Sequence, residues 1–246
     1  MKFAGLRISF IFFVLLLVYS CKKSDDIIQR EISHISFINL LPDSTLKNRP
    51  DVRLGVDFYI GEQLVNINPF FYRQGTSRYI DLISNKTQIY IRRGSETLIT
   101  DTLALADKQF YSVFLGHTAR RAGLRDTIFS IATSDDLTQT SSGQNAKVRF
   151  AFMSPDMPDV NVTAKIRRSN RDSVILTNQM FRTVTDFLEL RGDSVIFKFE
   201  SAAKELRVTD TVFIQPGKIY TYSTYGTWLG SPGQDPTFGL VETVYK

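Results

Sequence analysis

The chain repeats itself, and no other feature constrains its fold as strongly, because a pattern written twice must satisfy the same packing twice. Phe37-Ile38-Asn39-Leu40-Leu41-Pro42-Asp43 returns 113 residues later as Phe150-Ala151-Phe152-Met153-Ser154-Pro155-Asp156. Val56-Asp57-Phe58 returns after 104 residues as Val160-Asn161-Val162. Ile99-Thr100-Asp101-Thr102-Leu103 returns after 109 as Val208-Thr209-Asp210-Thr211-Val212, and Tyr111 returns at that spacing as Tyr220. The matches keep their order. The change from 113 to 104 places nine extra residues in the first copy, between Ser44 and Arg53. Between the copies, Asp135 to Asn145 is polar, turn-rich and aperiodic, which predicts a linker. The expected division is a domain over 32–134, a linker over 135–145 and a second domain over 146–246. Each domain is then about 100 residues, the size of a small sandwich.

Within each copy the hydrophobic period is two. Val195, Phe197 and Phe199 recur at every second position, the last two alternating with Lys198 and Glu200, and Ile89 and Ile91 flank Tyr90 in the same way in the first copy. The runs Leu98 to Leu105, Phe110 to Leu115, Val184 to Leu190 and Ile219 to Tyr225 are of strand length, rich in β-branched and aromatic residues, and bounded by turn formers. No helical stripe persists after residue 27. The expectation is an all-β chain: two tandem Ig-like antiparallel β-sandwich domains. The first strands should be Ile35 to Leu41 and Val148 to Met153, with Tyr111 and Tyr220 as equivalent inward-facing residues.

The N-terminus has a different character. Lys2 and Arg7 precede the apolar run Ile8 to Val18, which is well short of the roughly 20 residues that span a bilayer. Ser20 then precedes Cys21, the chain's one cysteine. Val18-Tyr19-Ser20-Cys21 resembles the lipobox of bacterial lipoproteins. That resemblance implies a signal peptide over residues 1–20, acylated Cys21 as the new N-terminus, and a lipidated tether over 21–31. Lys22-Lys23-Ser24-Asp25-Asp26 is charged and solvated, and it resembles the export signal of Bacteroidota surface lipoproteins. The implied location is the outer membrane, lipid-anchored and on the cell surface, the alternative being the periplasm-facing side. With Cys21 committed to lipid, no internal disulfide can form, so packing alone must hold the domains.

A family resemblance rests on the second copy. Ser154-Pro155-Asp156, then Pro158-Asp159-Val160-Asn161-Val162, and later Pro216-Gly217-Lys218-Ile219-Tyr220 resemble the domain-of-unknown-function family 4397. The first copy departs from that pattern at Leu41 and at Ala106-Asp107-Lys108. The resemblance implies secreted or surface-anchored tandem β domains and carries no catalytic residue.

The residues that bear chemistry are sparse. The chain holds 30 Lys and Arg against 25 Asp and Glu, a net +5; without residues 1–20, which contain Lys2 and Arg7 and no acid, it is +3. Scattered basic residues at that balance do not point to nucleic acid. His34 and His117 lack metal-ligand spacing, and no nucleophile elbow or phosphate loop is present, so neither metal, cofactor nor catalytic residue is expected. Asp25-Asp26 and Asp135-Asp136 read as solvated tether and linker charges. Asp-Ser or Asp-Thr pairs at Asp43, Asp101, Asp126, Asp172, Asp193 and Asp210 resemble O-glycosylation acceptors of Bacteroidota envelope proteins, and equally suit turns that feed strands.

Two loops follow equivalent strands yet differ in sequence. Gly226 to Gly233 carries Trp228, and Gly116 to Arg125 carries Arg120, Arg121 and Arg125. Sandwich ends display binding residues on a rigid scaffold, which makes these four the candidate ligand contacts. An exposed indole would stack on a sugar ring and the arginines would meet an anionic polymer, while the structural alternative has Trp228 closing a core and the arginines solvated. The expected role is a non-enzymatic lipoprotein that presents binding modules to a glycan or envelope-protein partner. The alternatives are a structural spacer or accessory subunit, and a hydrolase with an unrecognised site. Cys21→Ser is expected to abolish both fatty-acid labelling and membrane retention; metabolic labelling with a fatty-acid analogue measures this, and undiminished labelling of the variant refutes it.

Overall fold

The structure is a computed structural model that describes residues 31–42, 44–46, 48–76, 78–83, 85–118, 127–168, 171–209, 211–228 and 238–245. The described residues are strands, turns and connections, with no helix among them. Residues 32–246 form one compact unit.

The first half contributes β1 (Ile32–Asn39), β2 (Ser44–Leu46), β3 (Arg49–Leu54), β4 (Asp57–Ile60), β5 (Gln63–Leu64), β6 (Gln74–Gly75), β7 (Ile80–Ile83), β8 (Asn85–Arg93), β9 (Glu96–Leu105), β10 (Phe110–His117) and β11 (Ile128–Asp135). The second contributes β12 (Asn145–Phe152), β13 (Val160–Ile166), β14 (Arg171–Gln179), β15 (Thr183–Val184), β16 (Leu188–Arg191), β17 (Ser194–Ser201), β18 (Leu206–Val208), β19 (Val212–Phe213), β20 (Ile219–Tyr225) and β21 (Gly239–Tyr245).

Each half is a two-sheet sandwich with the same inner-sheet order. In the first, β11-β10-β1-β6 form the inner sheet and β7 also pairs with β1. In the second, β21-β20-β12-β15 correspond, and β16 pairs with β12. In both, the opening strand lies parallel to its neighbour: Ile35 pairs with Tyr111, and Val148 with Tyr220. The outer sheets are β5-β4-β8-β9 and β14-β13-β17-β18, with β19 also on β17. The expected first strands are therefore present, starting three residues earlier than read, at Ile32 and Asn145. The extra residues of the first copy form the separate hairpin β2–β3.

Repeat positions keep their local devices as well as their strands. Phe37 and Phe150 each donate their amide to a threonine hydroxyl, Thr76 at 3.1 Å and Thr185 at 3.0 Å. Arg73 and Arg182 both adopt a φ of 66°, and each donates its amide to the end of the first strand, at Asn39 and Phe152. The hydroxyl of Tyr111 accepts the amide of Ala106 at 3.0 Å, and that of Tyr220 accepts Gln215 at 2.9 Å. A hydroxyl that satisfies an upstream amide closes each sandwich end, as in the tyrosine corner of Ig-like folds. The two rings differ in burial: Tyr220 is buried, whereas Tyr111 is half-buried against its core.

Strand alternation builds one core per half. Ile35, Phe37, Phe58, Ile91, Val113 and Leu115 meet between the sheets of the first half. Val148, Phe150, Phe152, Val162, Phe197, Phe199 and Tyr222 do so in the second. The opposite faces of the inner sheets are not solvated. Ile38, Leu40, Phe114, Phe129, Ala151 and Met153 form a third cluster that joins the halves. β1 and β12 are consequently buried along nearly their whole length, as strands covered on both faces must be. The layers run outer, inner, inner, outer.

Truncation of Tyr220 to Ala is expected to destabilise the protein by about 3–5 kcal/mol, as for other large aromatics cut from a core. Tyr220→Phe removes only the acceptor for the Gln215 amide and should lose about 1 kcal/mol. Urea unfolding of the two variants checks the order; equal losses would mean that the ring contributes nothing beyond its hydroxyl.

Candidate functional site

The region between the inner sheets is where residues from distant segments converge. Its register follows a pseudo-twofold exchange. Phe129 of β11 meets Phe181 beside β15 at 5.7 Å, and Tyr79 beside β7 stacks on Tyr245 of β21 at 5.7 Å. Arg182 lies over Phe129 at 4.1 Å, while its counterpart Arg73 lies over Tyr225 at 4.8 Å and donates to that tyrosine's hydroxyl. Gly116 is small because a Cβ there would lie 2.7 Å from the Met153 side chain of the other half.

At the centre the exchange is broken by charge. Strand register equates Ser36 with Arg149, Ser112 with Thr221, and Asp135 with Tyr245. Tyr79 and Phe187 likewise precede the equivalent strands β7 and β16. Arg149 is 1% exposed and Asp135 4%. The Arg149 Nη2 lies 2.6 Å from Asp135 Oδ1. Its Nε donates to Thr221 at 2.7 Å, its Nη2 to the Tyr245 hydroxyl at 3.0 Å, and its plane lies over Phe187 at 4.5 Å. Asp135 Oδ2 accepts from Tyr79 at 2.5 Å and from Ser112 at 2.6 Å. Burial and the neighbouring Asp135 carboxylate push the Tyr79 phenol far above its ordinary range, so it stays a proton donor.

The polar stretch after β11 is fastened to this centre rather than solvated. Asp135, expected to be a linker charge, ends β11 and pairs with Phe110. Asp136 binds Lys147 Nζ at 2.7 Å. The Lys147 ammonium, aided by Thr138, holds the Asp136 carboxyl down at about 2. Ser141 donates its amide to Glu189 at 2.7 Å.

Ser36 is smaller than the Arg149 that stands at its counterpart position, and a cleft of about 300 Å³ opens beside it. Ser36, Thr76, Arg78, Tyr79, Thr243, Val244 and Tyr245 line that cleft. A second cleft of about 290 Å³ continues it past Arg73, Gln74, Val241 and Glu242, sharing Thr76, Thr243 and Val244. The groove therefore runs between residues 73–76, 78 and 79 on one side and residues 241–245 of β21 on the other.

The loop-end candidates fare differently. Trp228 is not an exposed platform: it is 1% exposed and belongs to the second core. Its Nε1 donates to Glu205 at 2.8 Å, its amide donates to Asp156 at 2.5 Å, and its ring meets Phe238 edge-on at 5.2 Å. The Arg207 guanidinium lies over the indole and donates to the Trp228 carbonyl. The indole closes the open end of the core, and Asp156 serves as its anchor. Arg120, Arg121 and Arg125 lie outside the described residues, as does Cys21. His34 Nδ1 lies 2.7 Å from Asp81, with its ring stacked on Phe110, and His117 contacts the Thr118 carbonyl. No group of three or more His, Cys, Asp or Glu among the described residues is placed to hold a metal. At Asp101, within β9, and at Asp193, in the turn before β17, the carboxylate accepts the amide of the following Thr102 or Ser194.

Arg149→Met alone should destabilise the protein by about 3–5 kcal/mol, because it strands a buried carboxylate, whereas Arg149→Met with Asp135→Leu should recover most of that loss. Chemical denaturation of both variants is the measurement; a single variant no weaker than the double would show that the pair is not coupled.

No curated protein matches the chain. Residues 33–163 match the family described as Domain of unknown function (DUF4397), a span that covers the first sandwich, the connection and the opening strands of the second, more than half of the sequence. The chain is therefore a member of the DUF4397 family.

Proposed function

We propose that the protein is a non-enzymatic cell-envelope lipoprotein, held by acylated Cys21 at the outer membrane, whose paired sandwich domains act together as a binding module at the cell surface. One observation supports this reading above the others: the chain enters the folded unit and leaves it at the same end. His34 pairs with Phe110, Phe110 with Asp135, and Asp135 contacts Arg149 and lies in the polar cluster with Tyr245. Tyr245 in turn pairs with Ile219 and Ile219 with Lys147. A tether attached at Ile32 leaves the opposite end of the folded unit for contact, the end at which β10 and β20 finish, at His117 and Tyr225. The partner class is a glycan or an envelope protein.

The buried junction between the halves also suits a spacer or an accessory subunit, since both need a stiff body. Binding of the full lipoprotein to isolated envelope glycans and proteins separates the two readings. Changing Arg120, Arg121 and Arg125 together to Gln should weaken binding several-fold, and more so at low salt. Parent-like binding by that variant at every salt concentration favours the spacer. Trp228→Ala is expected to lower the melting temperature, since the indole is core, and so cannot report on ligand contact.

A further inference from the structure

We propose that the groove between segments 73–79 and 241–245 binds an extended, acidic peptide of a partner protein, which adds as a strand to the free edge of β21. This rests on the reading of the protein as a binding module and names the partner class of one site on it.

The argument begins with what the groove leaves unsatisfied. Most lining hydroxyls are already engaged. Thr76 accepts from Phe37 and donates to Ser36, Tyr79 donates to Asp135, and the Tyr245 hydroxyl meets Arg149, Ser112 and Thr221. Arg73 is held by Tyr225, and Glu242 accepts from Tyr222. A sugar would find few free partners there. What remains is main chain, the Thr243 hydroxyl and one cation. β21 pairs with β20 along seven residues, and among the described residues no strand pairs with its other side. Its counterpart β11 is closed off differently, since Ser130 donates to Asp101 of β9 at 3.0 Å. Arg78 is exposed at the groove, and no ion pair engages it among the described residues.

An unpaired strand edge offers a ladder of amides and carbonyls, and adding a strand satisfies it without regard to side-chain sequence. Specificity then comes from the walls. Residues 241–245 run about 17 Å at 3.4 Å per residue, enough for a five-residue strand. Residues 73–76, 78 and 79 form the facing wall of the cleft, which offers about 300 Å³ beside Thr243, Val244 and Tyr245. Val244, 43% exposed, and the Tyr79 ring provide apolar contact, and Arg78 calls for a carboxylate.

The test uses the mature full chain and capped seven-residue peptides of alternating Val and Thr that carry one Asp at each position in turn. Two controls replace the Asp by Lys or N-methylate alternate amides. Hydrogen exchange read at residues 241–245 should slow saturably with at least one Asp peptide and with neither control. Arg78→Gln should weaken that peptide about fivefold, the upper range of an exposed ion pair. Arg78→Glu should transfer the preference to the Lys peptide. Absence of protection at millimolar peptide across the whole panel overturns the proposal, and so does an unchanged Asp preference in Arg78→Glu. If the panel fails while the three loop arginines still govern envelope binding, the groove is refuted and the binding-module reading stands. If the panel binds while the loop-arginine variant meets the envelope like the parent, the groove stands and the loop arginines are refuted as ligand contacts.

Discussion

The arrangement depends on the burial of a charge. Arg149 and Asp135 are withdrawn from water between the two inner sheets, where an unpaired ion would be expensive and a paired one is tolerated only with its remaining valences filled. Tyr79, Ser112, Thr221 and Tyr245 fill them. Each ion takes these neutral partners from its own half, and the ion pair itself and the Ser112–Tyr245 hydroxyl contact cross between them, so the charges are neutralised only when the halves meet in one register. The apolar cluster around Ile38, Phe114 and Met153 supplies adhesion without direction; the ionic centre supplies the direction. The groove beside Ser36, whose walls come from both halves, takes its position from that alignment.

Much of the architecture was legible because it is periodic. Alternation along β17, Val195-Phe197-Phe199, marks a half-buried strand, and the recurrence of Tyr111 as Tyr220 marks a shared corner. The same rule misjudged residues whose partners lie far away in sequence. Lys147 and Arg149 alternate with apolar residues in β12 as solvent-facing residues would, yet both face the first half, meeting Asp136 and Asp135. Asp135 sits in a stretch of turn formers and is buried only because Arg149 is placed opposite it. The one available hint was the repeat itself: where Ser36 becomes Arg149, a small polar residue is exchanged for a large charged one at a matched position.

The loop-end candidates show the complementary error. Trp228 stands among glycines and polar residues, and local composition reads it as exposed. Glu205 and Arg207, more than twenty residues upstream, bond to its ring nitrogen and its carbonyl and draw the indole inward. The groove could not have been read from any window, since its walls belong to segments separated by more than 150 residues. Both cases are failures of local pattern against tertiary partnership, and in both the decisive partner is a charged side chain.

The asymmetry at the pseudo-twofold centre has a consequence for assembly. Two chains exchanging halves could pair first half with first half, and the inner face would then enclose two Asp135 carboxylates with only Ser36 opposite. Two second halves would enclose two Arg149 guanidiniums with no carboxylate. Only the first half against the second balances its charge, so mispaired swaps are disfavoured while the correct closure is not. A tandem repeat would otherwise be prone to such exchange. Here a single Ser-to-Arg difference, matched by Asp for Tyr, makes each half a poor partner for its own copy.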